Sequence, residues 1–178
     1  RAPGRPEVDQ YDFAALLAER GPHGHWEGEL STSALSTATA VVALHLVGAD
    51  VRRLTLMRNE ECGTRNESES LLKSAATLVA GGLRWLAAHQ NADGGWGWTG
   101  AVPSDVDSTA IALQALIAAG EPANAAAVVD GLDFLRAVQL TNDDGGFAHS
   151  PDMPWAQDSN TNSTAFAVQG IIAVGQDP

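Results

Sequence analysis

The sequence predicts an all-α protein assembled from repeated helix pairs. Three observations carry the prediction. Ser-Thr-Ala opens three apolar segments, at 36–48, 108–120 and 163–175, and each reaches a Gly twelve residues after its Ser. Amphipathic segments precede the last two. A run of Gln, then Asp-Gly-Gly and an aromatic residue, joins each of these to the apolar segment that follows. Self-similarity of this kind marks a repeat architecture, and repeated helix pairs stack into a solenoid or close into a ring.

The first unit spans about 11–48. YDFAALLAERG (11–21) is its outer helix, GPHGHWEG (21–28) its turn and 36–47 its inner helix. The stretch 49–67 is charged and ends in turn residues, so it is read as an irregular insertion with at most a short helix. The second unit spans about 68–120. Its outer helix, 71–90, places Leu71, Ala75, Leu78, Val79, Gly82 and Leu86 on one stripe, with Lys73, Ser74 and Arg84 off it. The turn 89–98 leads to the inner helix 108–119. The third unit, 122–175, repeats the order. Its outer helix 123–139 turns Val128, Val129, Leu132 and Leu135 inward and Asp130, Asp133 and Arg136 outward, and its inner helix is 163–174.

Helix ends are legible as well. Ser36, Ser108 and Ser163 are expected to N-cap the inner helices by accepting from free backbone N–H groups. Gly48, Gly120 and Gly175 suit the left-handed residue that follows a helix. The inner helices are apolar nearly all round, so they are expected to be more buried than the outer ones. In the turns, Asp bonds local backbone and Gly takes positive φ. Gln90 and Gln139 are expected to bond loop backbone or neighbouring helix ends, and Trp26, Trp96 and Phe147 to pack between repeats.

Composition bounds the rest. A chain of 178 residues with 44% hydrophobic and 18% charged residues is long and apolar enough for one domain with a core. Ten Lys and Arg against 22 Asp and Glu give a formal charge of -12, which argues against nucleic acid and anionic lipid as partners. The single Cys62 excludes an intrachain disulfide and zinc sites of the CxxC type. No apolar run reaches the length of a membrane span. The chain begins at Arg1 and shows no signal peptide, so it is read as a segment or a processed product, and the compartment stays open. His23, His25, His45, His89 and His149 are scattered without paired metal spacing, so surface or loop roles are expected and no metal or cofactor site is assigned. DSNTNST (158–164) has neither the central Gly nor the final acid of a calcium loop.

The turns carry a family resemblance. GLRWLAAHQNADGGWGW (82–98) resembles the QW motif of the prenyltransferase and squalene oxidase repeat, through Gly82, Trp85, Leu86, Gln90, Gly95 and Trp96. GLDFLRAVQLTNDDGGF (131–147) is similar through Gly131, Phe134, Leu135, Gln139, Gly146 and Phe147, with Phe in place of the last Trp. HWEGELSTSALSTATAVVAL (25–44) resembles an early repeat of squalene–hopene-cyclase-like proteins. The resemblance implies an α/α toroid of the α6/α6-barrel type, of which 1–178 forms about half. The other half would come from the same longer chain, the reading we favour, or from a second copy. It also implies a polyisoprenoid or other hydrophobic small molecule as ligand.

Asp105-Val106-Asp107-Ser108-Thr109-Ala110 is similar to the D-x-D-D-T-A motif of these cyclases, whose middle Asp protonates an alkene. The resemblance places Asp107 on the acid and Asp105 on the first Asp, while Ser108 replaces the last Asp. Protonating an alkene demands an acid held neutral by burial and tuned by hydrogen bonds. The structural alternative stands beside it. Asp105 and Asp107 align with Asn160 and Asn162 of the next repeat, and Asp and Asn both suit a helix start. Aromatic residues are only 6% of the chain, few for a cavity that must hold a carbocation. Three functions therefore stay open: a class II terpene-cyclase-like enzyme, a non-catalytic toroid that binds a hydrophobic ligand, cofactor or protein, and a repeat scaffold.

Overall fold

The computed structural model describes residues 37–43, 45, 65–140 and 145–178. The expected helix at 11–21, the turn with Trp26, Ser36, Gly48, and the insertion up to residue 64 with Cys62 lie outside the described residues. Residues 37–43 are helical. Four further helices follow: α1 (Arg65–Ala88), α2 (Val106–Ala118), α3 (Ala126–Val138) and α4 (Thr161–Ala173). Among the described residues there is no strand, only one antiparallel bridge between Trp96 and Asp105. No described helix is long and apolar enough to cross a membrane.

The helix ends follow from local chemistry, with one correction. Ser108 and Ser163 do not cap their helices. Asp105 (φ -131°) and Asn160 (φ -140°) are the N-caps, and their side chains accept from the N–H of Ser108 and Ser163. The capping acceptor therefore lies three residues earlier than expected, and α2 and α4 each gain two residues at the start. The cause is a loop bond. Asp105 N donates to Trp96 O at 2.9 Å and Asn160 N to Phe147 O at 3.1 Å, which holds each cap extended. At the other end the reading holds. Gly120 (φ 96°) and Gly175 (φ 78°) are left-handed. Gly120 N donates to Ile117 O and Glu121 N to Leu116 O, and Gly175 and Gln176 repeat the pair on Ile172 and Ile171. This double bond satisfies carbonyls that the last turn leaves free.

The core sits around α2. It buries Val106, Ala110, Ala112, Leu113, Ala115 and Leu116 against Trp96, Val128, Leu132 and Leu135. Two glycines permit the packing. A Cβ on Gly131 would stand 2.9 Å from the Trp96 ring, and one on Gly170 would stand 3.0 Å from the Ala110 backbone. α2 and α4 thus approach almost backbone to backbone. Two expectations fail here. Val129 is 39% exposed, because it lies beyond the stripe formed by Val128, Leu132 and Leu135, beside exposed Asp130 and Asp133. α4 is no more buried than the outer helix α3. It buries Ser163, Ala167, Gly170 and Ile171 and leaves Ile172 58% exposed, since only its α2-facing side is covered among the described residues.

Candidate active site

The two turns share their main bonds. Gln90 Nε2 donates to Gly94 O at 2.7 Å and Gln139 Nε2 to Gly145 O at 2.9 Å. Asn91 N donates to Gly95 O, and Leu140 N to Gly146 O. Trp96 N donates to Thr109 Oγ1 and Phe147 N to Thr164 Oγ1, both at 2.9 Å. The Thr of each Ser-Thr-Ala run therefore ties the turn to the first part of the inner helix. The earlier unit makes further bonds. Gln90 also donates to Ala127 O in α3, and Trp96 Nε1 donates to Leu86 O at 2.8 Å, which Phe147 has no group to match. Trp85 and Phe134 are both buried, and Trp85 stacks on His89 with ring centres 4.1 Å apart.

Each turn also serves its neighbour. Val106 N, at the first position of α2, donates to His149 O. The third unit's turn therefore finishes the start of the second unit's inner helix. Ser150 Oγ reinforces the junction by donating to Ser104 O at 3.3 Å.

Asp105 and Asp107 come together at this junction. Asp105 is fully buried. Its Oδ1 accepts from Ser108 N at 2.7 Å, while Oδ2 is buried without a partner. Burial pushes its pKa above the ordinary 3.8, more strongly than the Ser108 hydrogen bonds and His149 lower it, and the nearby Asp107 charge adds to the rise. Asp107 occupies the second helical position, where the helix dipole favours a carboxylate. Its Oδ2 lies 3.3 Å from His149 Nδ1 and accepts from Asn162 Nδ2 at 3.4 Å. Its Oδ1 is buried without a partner. The two carboxylates share no hydrogen bond with each other.

His149 is the residue that sequence reasoning missed. The sequence offers it only as one of five scattered histidines. The signal was available in the register: His149 stands two residues after Phe147, in the turn that lies across the preceding inner helix. His45, which lies within the expected first inner helix, is exposed. An open cleft of about 420 Å³ is lined by Asn91, Asp93, Ser104 and Asp152 among others, but not by Asp105 or Asp107. Among the described residues no cluster of three or more metal-binding side chains occurs.

No protein-family profile matches the chain. It is 43% identical over 81 residues to a drimenyl diphosphate synthase of Streptomyces showdoensis, a match covering 45% of this chain and 15% of that enzyme. It is 30% identical over 139 residues to a squalene–hopene cyclase of Bradyrhizobium diazoefficiens, covering 71% of this chain and 17% of that enzyme. The structure resembles a type II terpene cyclase from Scytonema, solved with its product merosterolic acid A. The TM-score is 0.60 at 16% identity, over 88% of this chain and 44% of that one. The chain thus matches under a fifth of the length of the two enzymes and under half of the solved structure. The structural likeness concerns the fold, an α/α toroid. Repeat, fold and relatives agree, and the chain belongs to the squalene–hopene-cyclase-like family.

Proposed function

We propose that this chain supplies the acid of a class II terpene cyclase, and that Asp107 protonates an alkene of a polyisoprenoid. The observation that carries the reading is an internal control. Asn160 caps α4 with a 2.8 Å bond from Ser163 N, just as Asp105 caps α2 at 2.7 Å. The fold therefore needs no carboxylate at this position. The second unit nevertheless places one there, fully buried, with a second two residues on. A buried carboxyl without a partner for one oxygen is costly unless it stays protonated. Structure alone gives no reason to keep it.

The chemistry follows from the environment. Asp107 Oδ1 carries the proton. The alkene π electrons take that proton to form a C–H bond, leaving a tertiary cation on the neighbouring carbon and a carboxylate on Asp107. His149, Asn162 and the start of α2 stabilise that carboxylate. Burial raises the Asp105 pKa, which disfavours a second negative charge beside the Asp107 carboxylate. After ring closure the last cation loses a proton, the reaction is an isomerisation, and solvent restores the proton on Asp107. Trp96 and Phe147 are taken up by packing, so the aromatic faces that shield the cation come from other residues, including those of the rest of the ring. That remainder comes from the same longer chain or from a second copy.

A non-catalytic toroid that binds a hydrophobic ligand, cofactor or protein is the second reading. Ser108, where related cyclases carry a third Asp, favours it. One substitution separates the two. In a protein that includes the complete ring, Asp107→Asn is expected to abolish isoprenoid turnover while the thermal midpoint stays put. Turnover that survives in Asp107→Asn rules out the acid role.

A further inference from the structure

We propose that the prenyl ligand of this ring carries an uncharged oxygen, and that Gln114 and Gln169 hold it. The proposal rests on the reading of this face as the polyisoprenoid site and names the class of ligand. Two sides of α2 are taken up by its neighbours. Ala110 meets Gly170 of α4, and Leu113 meets Gly131 of α3. Asp107, Ile111, Gln114 and Ala118, at i, i+4, i+7 and i+11, form a separate stripe on which no residue is fully buried. This stripe is what α2 presents to the interior of the ring. α4 repeats it with Asn162, Phe166, Gln169 and Ala173. Each stripe runs from a polar residue at the helix start, past a large apolar one, to a glutamine. Gln114 lies two turns below Asp107, about 10 Å along the axis. Gly170 packs on Ala110, so its chain neighbour Gln169 stands between those two levels on the adjoining wall.

The fold makes little use of either amide. Gln114 Nε2 donates to Ala110 O at 3.4 Å, a long bond to a carbonyl that the helix ladder already uses. Gln169 is exposed. Nor does the repeat demand a glutamine here, since the first unit carries Val42 at the equivalent position. A primary amide on an otherwise apolar wall matches a hydroxyl or a carbonyl, whose oxygen accepts from its N–H. A hydrocarbon would cover both amides and strip them of water with nothing in return. A diphosphate would demand cations, and α2 and α4 carry no Lys or Arg in a chain of formal charge -12. The ligand is therefore a prenyl alcohol or carbonyl compound. Its alkene meets Asp107, its hydrocarbon crosses Ile111 and Phe166, and its oxygen meets the glutamines.

The test is equilibrium binding to a protein that includes the complete ring. Linear prenyl alcohols of increasing length are compared with the hydrocarbon and the diphosphate of each length. The alcohol is expected to bind about threefold to tenfold tighter than the hydrocarbon, the range that one neutral hydrogen bond carries, and tighter than the diphosphate. Gln114→Met combined with Gln169→Met keeps side-chain length and helix propensity. The pair is expected to erase the preference for the alcohol, with hydrocarbon affinity and the thermal midpoint held. Should the pair fail to fold, each single substitution carries the same test and is expected to reduce the preference. A preference that survives the methionine substitutions overturns the proposal. So does a parent that binds the hydrocarbon or the diphosphate best, or binds none of the three. The two readings fail separately. Turnover that survives in Asp107→Asn, beside a preference erased by methionine, sinks the acid and leaves the oxygen subsite. Turnover lost in Asp107→Asn, beside a preference that methionine does not touch, does the reverse.

Discussion

Replacing Asp105 separates the cap from the charge, because the two contributions respond differently to pH. Asp105→Asn keeps the cap. Asn160 makes the equivalent bond at 2.8 Å against 2.7 Å for Asp105, so the expected loss on that account is close to zero. Asp105→Ala removes the acceptor and costs about 1 kcal/mol. Neither variant titrates at this position, so the gap between them is about 1 kcal/mol at every pH, or roughly 2–4 °C in Tm for a chain of this size. The parent moves against both. Burial raises the Asp105 pKa in the folded state above its ordinary 3.8. The folded chain therefore binds this proton more tightly than the unfolded chain, and ionisation opposes folding. The penalty is fully present above the folded-state pKa. It is relieved as pH falls through that value and is gone below 3.8. Asp105→Asn is thus expected to exceed the parent in stability at pH 7, with the advantage shrinking to nothing as the pH is lowered toward 4. Urea denaturation across this range reads all three curves. An Asn variant as unstable as the Ala variant at pH 7, or an advantage that grows on acidification, refutes the reasoning.

Two further outcomes test the turns. Trp96→Phe removes the buried indole bond to Leu86 O and shrinks a wholly buried ring, and is expected to lose about 2 kcal/mol in urea denaturation. A variant as stable as the parent would show that the bond is dispensable. Gln90→Ala loses two bonds, one of which ties the turn to α3, whereas Gln139→Ala loses one exposed bond. Gln90→Ala is expected to cost about 1–3 kcal/mol and Gln139→Ala under about 1 kcal/mol, with faster amide exchange at Gly94 in the former. Equal losses in the two would overturn this account.

The parts of the fold visible in the sequence are those set by residues close in the chain. The left-handed Gly120 and Gly175 belong to this group, because only a residue without Cβ takes that conformation cheaply. The stripe of Val128, Leu132 and Leu135 belongs to it too, since helical spacing alone puts them on one face. The helix starts were misplaced for the opposite reason. Asp105, Asp107 and Ser108 are all acceptable caps, and the choice falls to a bond from Asp105 N to Trp96 O in a loop nine residues back. Composition carries no trace of that bond. The site was half legible. The two carboxylates were singled out on family register, but His149 and Asn162 gain their meaning only from the way the third unit lies across the second. Comparing His149 with its register partner Trp98 rather than with the other histidines would have pointed to it.

One feature of the junction bears on how such a chain can evolve. The carboxylates at 105 and 107 belong to one unit, while the backbone carbonyl that completes their helix, the imidazole and the amide all come from the next. A gene duplication that copies a single unit therefore copies the acid without its partners, or the partners without an acid. The heritable module is the joint between two units and not the unit itself. Selection on such a site would resist recombination at the joint while leaving breakpoints elsewhere in each repeat free.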